Sequence, residues 1–320
     1  MFCSHHVWTR DGLLFLAGGT IYDETANSAG VYAPNGSKLV YLWDPSDWAN
    51  SSAEYGWYRR DDLAQARYYP TVTVGEERVI NGKPEQGFFV TGGLEHWPTY
   101  PAMPDTYEVY RTVDGDPRLT DYDKFGSAGR LYDGPVFPGT TFEGRFNWYP
   151  RMFLLSDGRL GMGGMSILGA RTTNLHDFST KATPWDNNYG VVQGMSNQSW
   201  FHYDSAVLLP IDLTAASVTS DWMLRIGGGL ALHPDYFSTT MAPIPSNILA
   251  YSRFSGATSG ASHAWQVASP LLADPRMHPD GVLLANGDIL VLGGDKALAT
   301  PTTPPVRVNY GEIIDGSNLS

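Results

Sequence analysis

Five side chains able to take part in metal or radical chemistry recur at one register of this chain. Eight residues before the Asx of each strand-turn signal, Asp11 leads to Cys3, Asp157 to Tyr149 and Asn286 to His278. Two irregular turns extend the series, with Glu77 leading to Tyr69 and Ile211 to Tyr203. A thiol, phenols and an imidazole brought to one place suit a transition metal better than a hard cation, which prefers carboxylate and carbonyl oxygen. Each residue taken singly also has an ordinary role. Tyrosines pack in strands and find partners for their hydroxyls, and Cys3 reads as a small buried hydrophobe. His278, before Pro279, and the pair His5-His6 read as surface or hydrogen-bonded histidines. No Cys/His spacing of the structural zinc kind occurs.

What could bring these residues together is a repeat. A short apolar run ending in paired glycine appears as LLFLAGG at Gly19, GFFVTGG at Gly93, RLGMGG at Gly164, WMLRIGG at Gly228 and DILVLGG at Gly294, spaced 74, 71, 64 and 66 residues apart. Asp11-Gly12, Asp157-Gly158 and Asn286-Gly287 read as two-residue hairpin turns that need positive φ. Tyrosine and then tryptophan follow the glycines, as in Tyr41, Trp43 and Trp57, or Tyr251 and Trp265. The spacing exceeds the roughly 50 residues of a kelch repeat but suits kelch blades with extended loops. Glycine pairs let strands approach, and the aromatics fill the wedge between blades.

The expected fold is therefore all-β, a kelch-type β-propeller with about five of seven blades, beginning near residues 1, 67, 147, 200 and 275 of a single incomplete domain 1–320. No window sustains a helical period, and the stretches 98–104 and 114–121 read as loops. The fifth blade is expected to be unfinished, with Val306 to Ile314 as an outer strand and the remaining blades missing. Innermost propeller strands line the channel, so the five register residues are expected to converge near one mouth of it.

Composition narrows the partners. Lys plus Arg at 21 against Asp plus Glu at 33 gives a net charge of −12, with no basic run to follow a phosphate backbone, which excludes nucleic acid. No stretch approaches the roughly 20 apolar residues of a membrane helix, and no signal peptide opens the chain. Cys3 is the one cysteine, so an internal disulfide is impossible. Sequons begin at Asn35, Asn50, Asn197 and Asn318.

The segment Met1-Phe2-Cys3, followed by Asp11-Gly12 and LLFLAGGT, resembles the cysteine-bearing segment of glyoxal oxidases and galactose oxidase. Arg67-Tyr68-Tyr69-Pro70-Thr71 resembles the Arg-x-Tyr segment of the same family, and the gap of 66 residues from Cys3 to Tyr69 is closer to glyoxal oxidases. Tyr149-Pro150-Arg151-Met152-Phe153, Ser205 to Pro210 and the stretch from Pro275 to Gly294 resemble further glyoxal-oxidase blades, so the resemblance runs along the chain.

That resemblance implies a copper-radical oxidase with a thioether joining Cys3 to Tyr69. Tyr69 would bind copper and take a hydrogen atom from the substrate carbon. An axial tyrosine would act as base, and dioxygen would leave as hydrogen peroxide. Substrates would be small aldehydes in hydrated form or primary alcohols, and the protein would be secreted. The family's axial tyrosine and two histidine ligands match nothing here and are expected beyond residue 320. Tyr149, Arg151, Tyr203, His278 and, by loose position after a glycine pair, Trp97 are placed beside the copper-binding groups, not on the metal. The competing function is a non-catalytic kelch propeller that binds a protein or carbohydrate partner.

Overall fold

The computed structural model describes residues 3–22, 34–80, 83–93, 108–111, 123–124, 146–156, 159–166, 175–177, 200–202, 204–209, 220–231, 244–255, 266–269, 271–297, 304–316 and 319. Regular structure among them is strand, apart from two short 3-10 segments, Pro45–Asp47 and Ser51–Gly56. The chain divides into two compact units, Met1–Leu154 with Asp177–Pro184, and Leu155–His176 with Trp185–Ser320.

Unit 1 is built from antiparallel sheets whose strands neighbour each other in chain order. The first sheet runs His5–Trp8, Leu14–Ala17, Val40–Trp43, Trp57–Arg59. The second runs Thr71–Ile80, Lys83–Thr91, Glu108–Arg111, Asp123–Lys124. Side chains alternate between the faces of a strand. Phe15 and its cross-strand partner Leu42 therefore share a face, as do Phe88 and Tyr110. These residues meet with Leu13, Val40, Val72 and Val90 in one buried cluster, in which the rings of Phe15 and Phe88 stack at 4.7 Å. Each such phenylalanine contributes about 1.5–3 kcal/mol by burial, which makes the sheets a firm base for what their ends carry.

Unit 2 repeats the plan. One sheet runs Ser205–Leu208, Ser220–Ile226, Leu249–Ser255, Gln266–Val267, and another runs Asp280–Leu283, Ile289–Leu292, Glu312–Ile314. Val207, Leu224, Ile226, Leu249, Ile289, Val291 and Ile314 form its core. In both units a short hairpin follows the paired glycine before the third strand of the sheet: Thr20–Tyr22 with Pro34–Gly36, Gly229–Ala231 with Ile244–Pro245, and Asp295–Ala297 with Val306–Arg307.

The hairpin turns differ from the two-residue form expected. Thr9 N donates to Leu13 O at 2.7 Å and Gly12 N to Thr9 O at 3.1 Å, which closes a three-residue loop over Arg10, Asp11 and Gly12. Leu284, Asp288 and Gly287 make the same pair of bonds. Gly12 and Gly287 take φ of 81° and 90°, while the Asx before each stays outside the left-handed region. One left-handed glycine after a right-handed turn is the three-residue solution, and Asp-Gly or Asn-Gly serves it as well as the two-residue one. The third turn, at Asp157-Gly158, lies outside the described residues. The third glycine pair also departs, since Gly163 and Gly164 fall within the strand Arg159–Ser166.

The glycine pairs have a steric reason. At Gly18, with φ +67°, a Cβ would stand 2.6 Å from Arg67 O and 2.8 Å from Pro70 Cγ; at Gly227, with φ +61°, it would stand 2.6 Å from Arg276 O. The strand leading to the next sheet passes directly over the glycine, so no side chain fits there.

Candidate functional site

Six non-glycine residues among those described have a left-handed backbone, and four are Cys3 (φ 59°), Tyr69 (61°), Tyr149 (46°) and His278 (54°), the residues placed at one register by counting back from the turns. Bulky residues adopt this conformation at a cost of order 1–3 kcal/mol, and such strain concentrates at functional positions. Tyr69, Tyr149 and His278 each precede a proline, whose ring disfavours the right-handed helical conformation for the residue before it. Tyr203 and Trp97 lie outside the described residues.

In unit 1 the backbone links these positions in sequence. Tyr69 N donates to Cys3 O at 3.2 Å, and Tyr149 N donates to Tyr69 O at 2.9 Å. The side chains converge accordingly. The Cys3 thiol and Tyr69 hydroxyl share a hydrogen bond, and Tyr68 hydrogen-bonds to the same phenol. The Tyr69 ring lies 3.9 Å from the ring of Tyr68 and 4.9 Å from that of Tyr149, centre to centre. His5 completes the cluster with its ring 6.1 Å from Tyr149.

Burial holds these phenols protonated. It is the main cause that raises Tyr69, with Cys3 and Tyr68 adding to it. Tyr149 is pushed up to about 12 by burial and by its neighbours Cys3 and Tyr68, while the nearby Arg151 guanidinium acts in the opposite direction. His5 is pulled down from 6.5 to about 4 by burial, then by His6 and Arg151. Its Nδ1 accepts the Val72 amide at 2.8 Å, so at neutral pH the ring is uncharged and carries its proton on Nε2. His6 is exposed.

The perch under Tyr69 is a buried clamp. Arg67, fully buried, donates from Nη1 to Gly92 O at 2.8 Å and from Nη2 to Glu108 Oε1 at 3.3 Å. Glu108 also accepts the Ala64 amide at 2.7 Å, and Arg67 O accepts the Gly19 amide at 2.9 Å. Sequence reasoning took Arg67 only as the first letter of a motif and missed Glu108. The available signal was Arg276-Met277-His278-Pro279, which repeats the pattern of Arg67-Tyr68-Tyr69-Pro70.

Unit 2 repeats the clamp. Arg276 donates to Gly293 O and Tyr310 O, both at 3.1 Å, and pairs with Glu312, which accepts the Ala273 amide at 2.7 Å. Gly228 N donates to Arg276 O at 2.7 Å. Here the left-handed residue is His278, its side chain 47% exposed and its Nδ1 3.7 Å from Asp295 Oδ2.

The donors in unit 1 fit part of a copper site. A phenol next to a thiol provides one oxygen ligand and the partner for a covalent bond to it. Among the described residues, however, no three His, Cys, Asp or Glu side chains group closely enough to hold a metal ion, and His5 Nδ1 is already engaged. The described residues of the cluster thus offer a thiol and phenol oxygens, without a complete nitrogen set. No helix of the described residues is long and apolar enough to cross a membrane.

No protein-family profile and no curated protein matches the chain. Among solved structures it is similar to a novel fungal alcohol oxidase of the AA5 family, described as having catalytic diversity and solved in complex with copper. The identity is 16% and the TM-score 0.55, with 100% of this chain and 52% of the other covered. The likeness establishes a shared fold, and the chain spans about half the length of that oxidase.

Proposed function

We propose that this chain carries the cysteine-tyrosine part of a copper-radical oxidase of the galactose oxidase and glyoxal oxidase kind, in a kelch-type propeller whose blades are the repeated sheets. The observation that carries the reading is the hydrogen-bonded contact of Cys3 with Tyr69, each on a left-handed residue and joined backbone to backbone. The fold shared with a copper-bound alcohol oxidase supports it.

In this reading a thioether joins Cys3 Sγ to the Tyr69 ring carbon next to the phenol oxygen. The thiol and ring hydrogens leave as protons, and the two electrons pass to dioxygen, which becomes hydrogen peroxide. The sulfur substituent lowers the oxidation potential of the phenol and spreads the unpaired electron. Copper would be held by the Tyr69 oxygen and by further donors from elsewhere in the protein, and would supply the second oxidising equivalent and the reduction of dioxygen.

The remaining residues hold and shield. To hold the metal Tyr69 would have to give up its phenol proton, against the burial that keeps that proton in place. The rings of Tyr68 and Tyr149 pack against it, both tilted, and Arg151 sets positive charge beside Tyr149. Substrates are primary alcohols, oxidised to aldehydes, or hydrated small aldehydes, oxidised to acids, with one hydrogen peroxide formed per turnover. A secreted protein accords with this chemistry.

The full-length protein, treated with copper(II), is expected to bind the metal stoichiometrically and to release hydrogen peroxide with an alcohol or an aldehyde. A folded protein that takes up no copper and consumes no oxygen would contradict the reading and leave the partner-binding propeller in its place.

A further inference from the structure

Two residues beyond the register position counted back from a turn, Cys3 in unit 1 and Tyr203 in unit 2, a side chain reaches from one strand to the strand of the next sheet. In unit 1 it is His5, two residues after Cys3, whose Nδ1 accepts the amide of Val72, three residues after Tyr69, at 2.8 Å. In unit 2 it is Ser205, whose Oγ accepts the amide of Gly281, three residues after His278, at 3.1 Å. Different side chains make the same tie at the same place, so the tie belongs to the architecture and not to one local sequence. In unit 1 it is the second of two. The first, Tyr69 N to Cys3 O at 3.2 Å, lies at the long end for an amide bond. One tie fixes a distance and leaves the strands free to pivot about it; two fix the angle between them as well.

We propose that His5 is a positioning residue for the Cys3–Tyr69 bond: by accepting the Val72 amide it locks the strand that follows Cys3 onto the strand that follows Tyr69, and so holds the thiol against the phenol ring. The inference rests on the oxidase reading above. His5 touches neither the sulfur nor the reacting ring carbon and acts through Val72. Bond formation needs the reacting atoms within about 3–3.5 Å and aligned. The uncharged ring, bare at Nδ1, is the form that can accept an amide, and it is the form present at neutral pH.

The test follows thioether formation in the full-length protein, prepared without copper and then exposed to copper(II) salt and air. Intact mass, falling by two hydrogens, and titration of the remaining thiol give the rate. His5→Leu, which cannot accept, is expected to cross-link about tenfold more slowly, the order of one lost hydrogen bond. His5→Asn, whose Oδ1 stands close to the position of Nδ1, is expected to restore the rate to within about twofold. The Asn variant decides the matter even where the Leu variant folds poorly, because a merely structural need for the imidazole ring would not be met by an amide. A Leu variant at the wild-type rate, or an Asn variant as slow as Leu, overturns this inference while the wild type still cross-links. A wild-type protein that keeps its free thiol overturns the oxidase reading, and this inference with it.

Discussion

Tyr69 in unit 1 and His278 in unit 2 occupy the same perch. Each is left-handed, precedes a proline and stands two residues after a buried arginine whose carbonyl oxygen leaves no room for a side chain at a glycine, Gly18 for Arg67 and Gly227 for Arg276. Their surroundings differ. Tyr69 is packed among Cys3, Tyr68 and Tyr149, whereas His278 points outward beside Asp295. The clamp is therefore a device of the repeat that presents a side chain at a strand end, and reactivity depends on which residue is presented and what stands next to it. Strain alone marks both positions; of the two, Tyr69 is the one with a thiol beside it.

The clamps themselves are expected to show the largest difference between the units. Arg67 and Glu108 are both fully buried, while Glu312, the partner of Arg276, is 14% exposed. Removing one member of a buried pair leaves an unpaired buried charge and costs about 3–5 kcal/mol. Arg67→Met should approach that figure, and Arg276→Met should fall clearly below it, because water can reach Glu312. Urea melts of the two variants check this, and equal losses would mean that the arginines do not act through their glutamates.

Acid should separate the ties that His5 and Ser205 make. His5 has its pKa lowered from 6.5 to about 4 in the folded protein, so between those values the unfolded chain binds a proton that the folded one refuses. Its contribution is fully present above pH 6.5 and is lost as pH falls towards about 4, by at most about 3 kcal/mol, less where its partly exposed ring keeps water. The hydroxyl of Ser205 does not titrate. His5→Asn should therefore melt with a flatter pH dependence than the wild type across this window, and an unchanged slope would show that His5 is not held uncharged.

The glycines set a further contrast. A methyl at Gly18 would meet Arg67 O at 2.6 Å, whereas at Gly293, with φ +61°, it would meet nothing within 4 Å. Gly18→Ala combines overpacking with backbone strain, about 2–4 kcal/mol, and Gly293→Ala has the strain alone, about 1 kcal/mol. Thermal melts that rank the two alike would remove close approach as the reason for Gly18.

Part of this was legible in the chain: counting back from Asp11-Gly12 and Asn286-Gly287 leads to Cys3 and His278, both left-handed. Tyr69 takes the same conformation although Glu77, from which it was counted, is no turn but lies inside the ten-residue strand Thr71–Ile80, paired with Gln86. Contacts between residues far apart in the chain were not legible. Glu108 lies 41 residues from Arg67 with no local signal to join them, and His5 next to His6 reads as one of two similar histidines until the neighbouring strand brings the Val72 amide to it. The turn type was misjudged because Asp-Gly suits two loops of different length, and strand pairing selects between them.

The central claim is that Cys3 and Tyr69 become one cofactor, and a peptide map tests it most directly. After copper treatment of the full-length protein, digestion under reducing conditions should yield the Cys3 and Tyr69 peptides as a single species, two hydrogens lighter than their sum. The species should be absent from Cys3→Ser, which should keep its copper and lose most oxidase activity, and from Tyr69→Phe, which should lose the radical as well. Separate, unmodified peptides from a copper-loaded protein that still makes hydrogen peroxide would contradict the account and return Tyr69 to the role of a packed tyrosine.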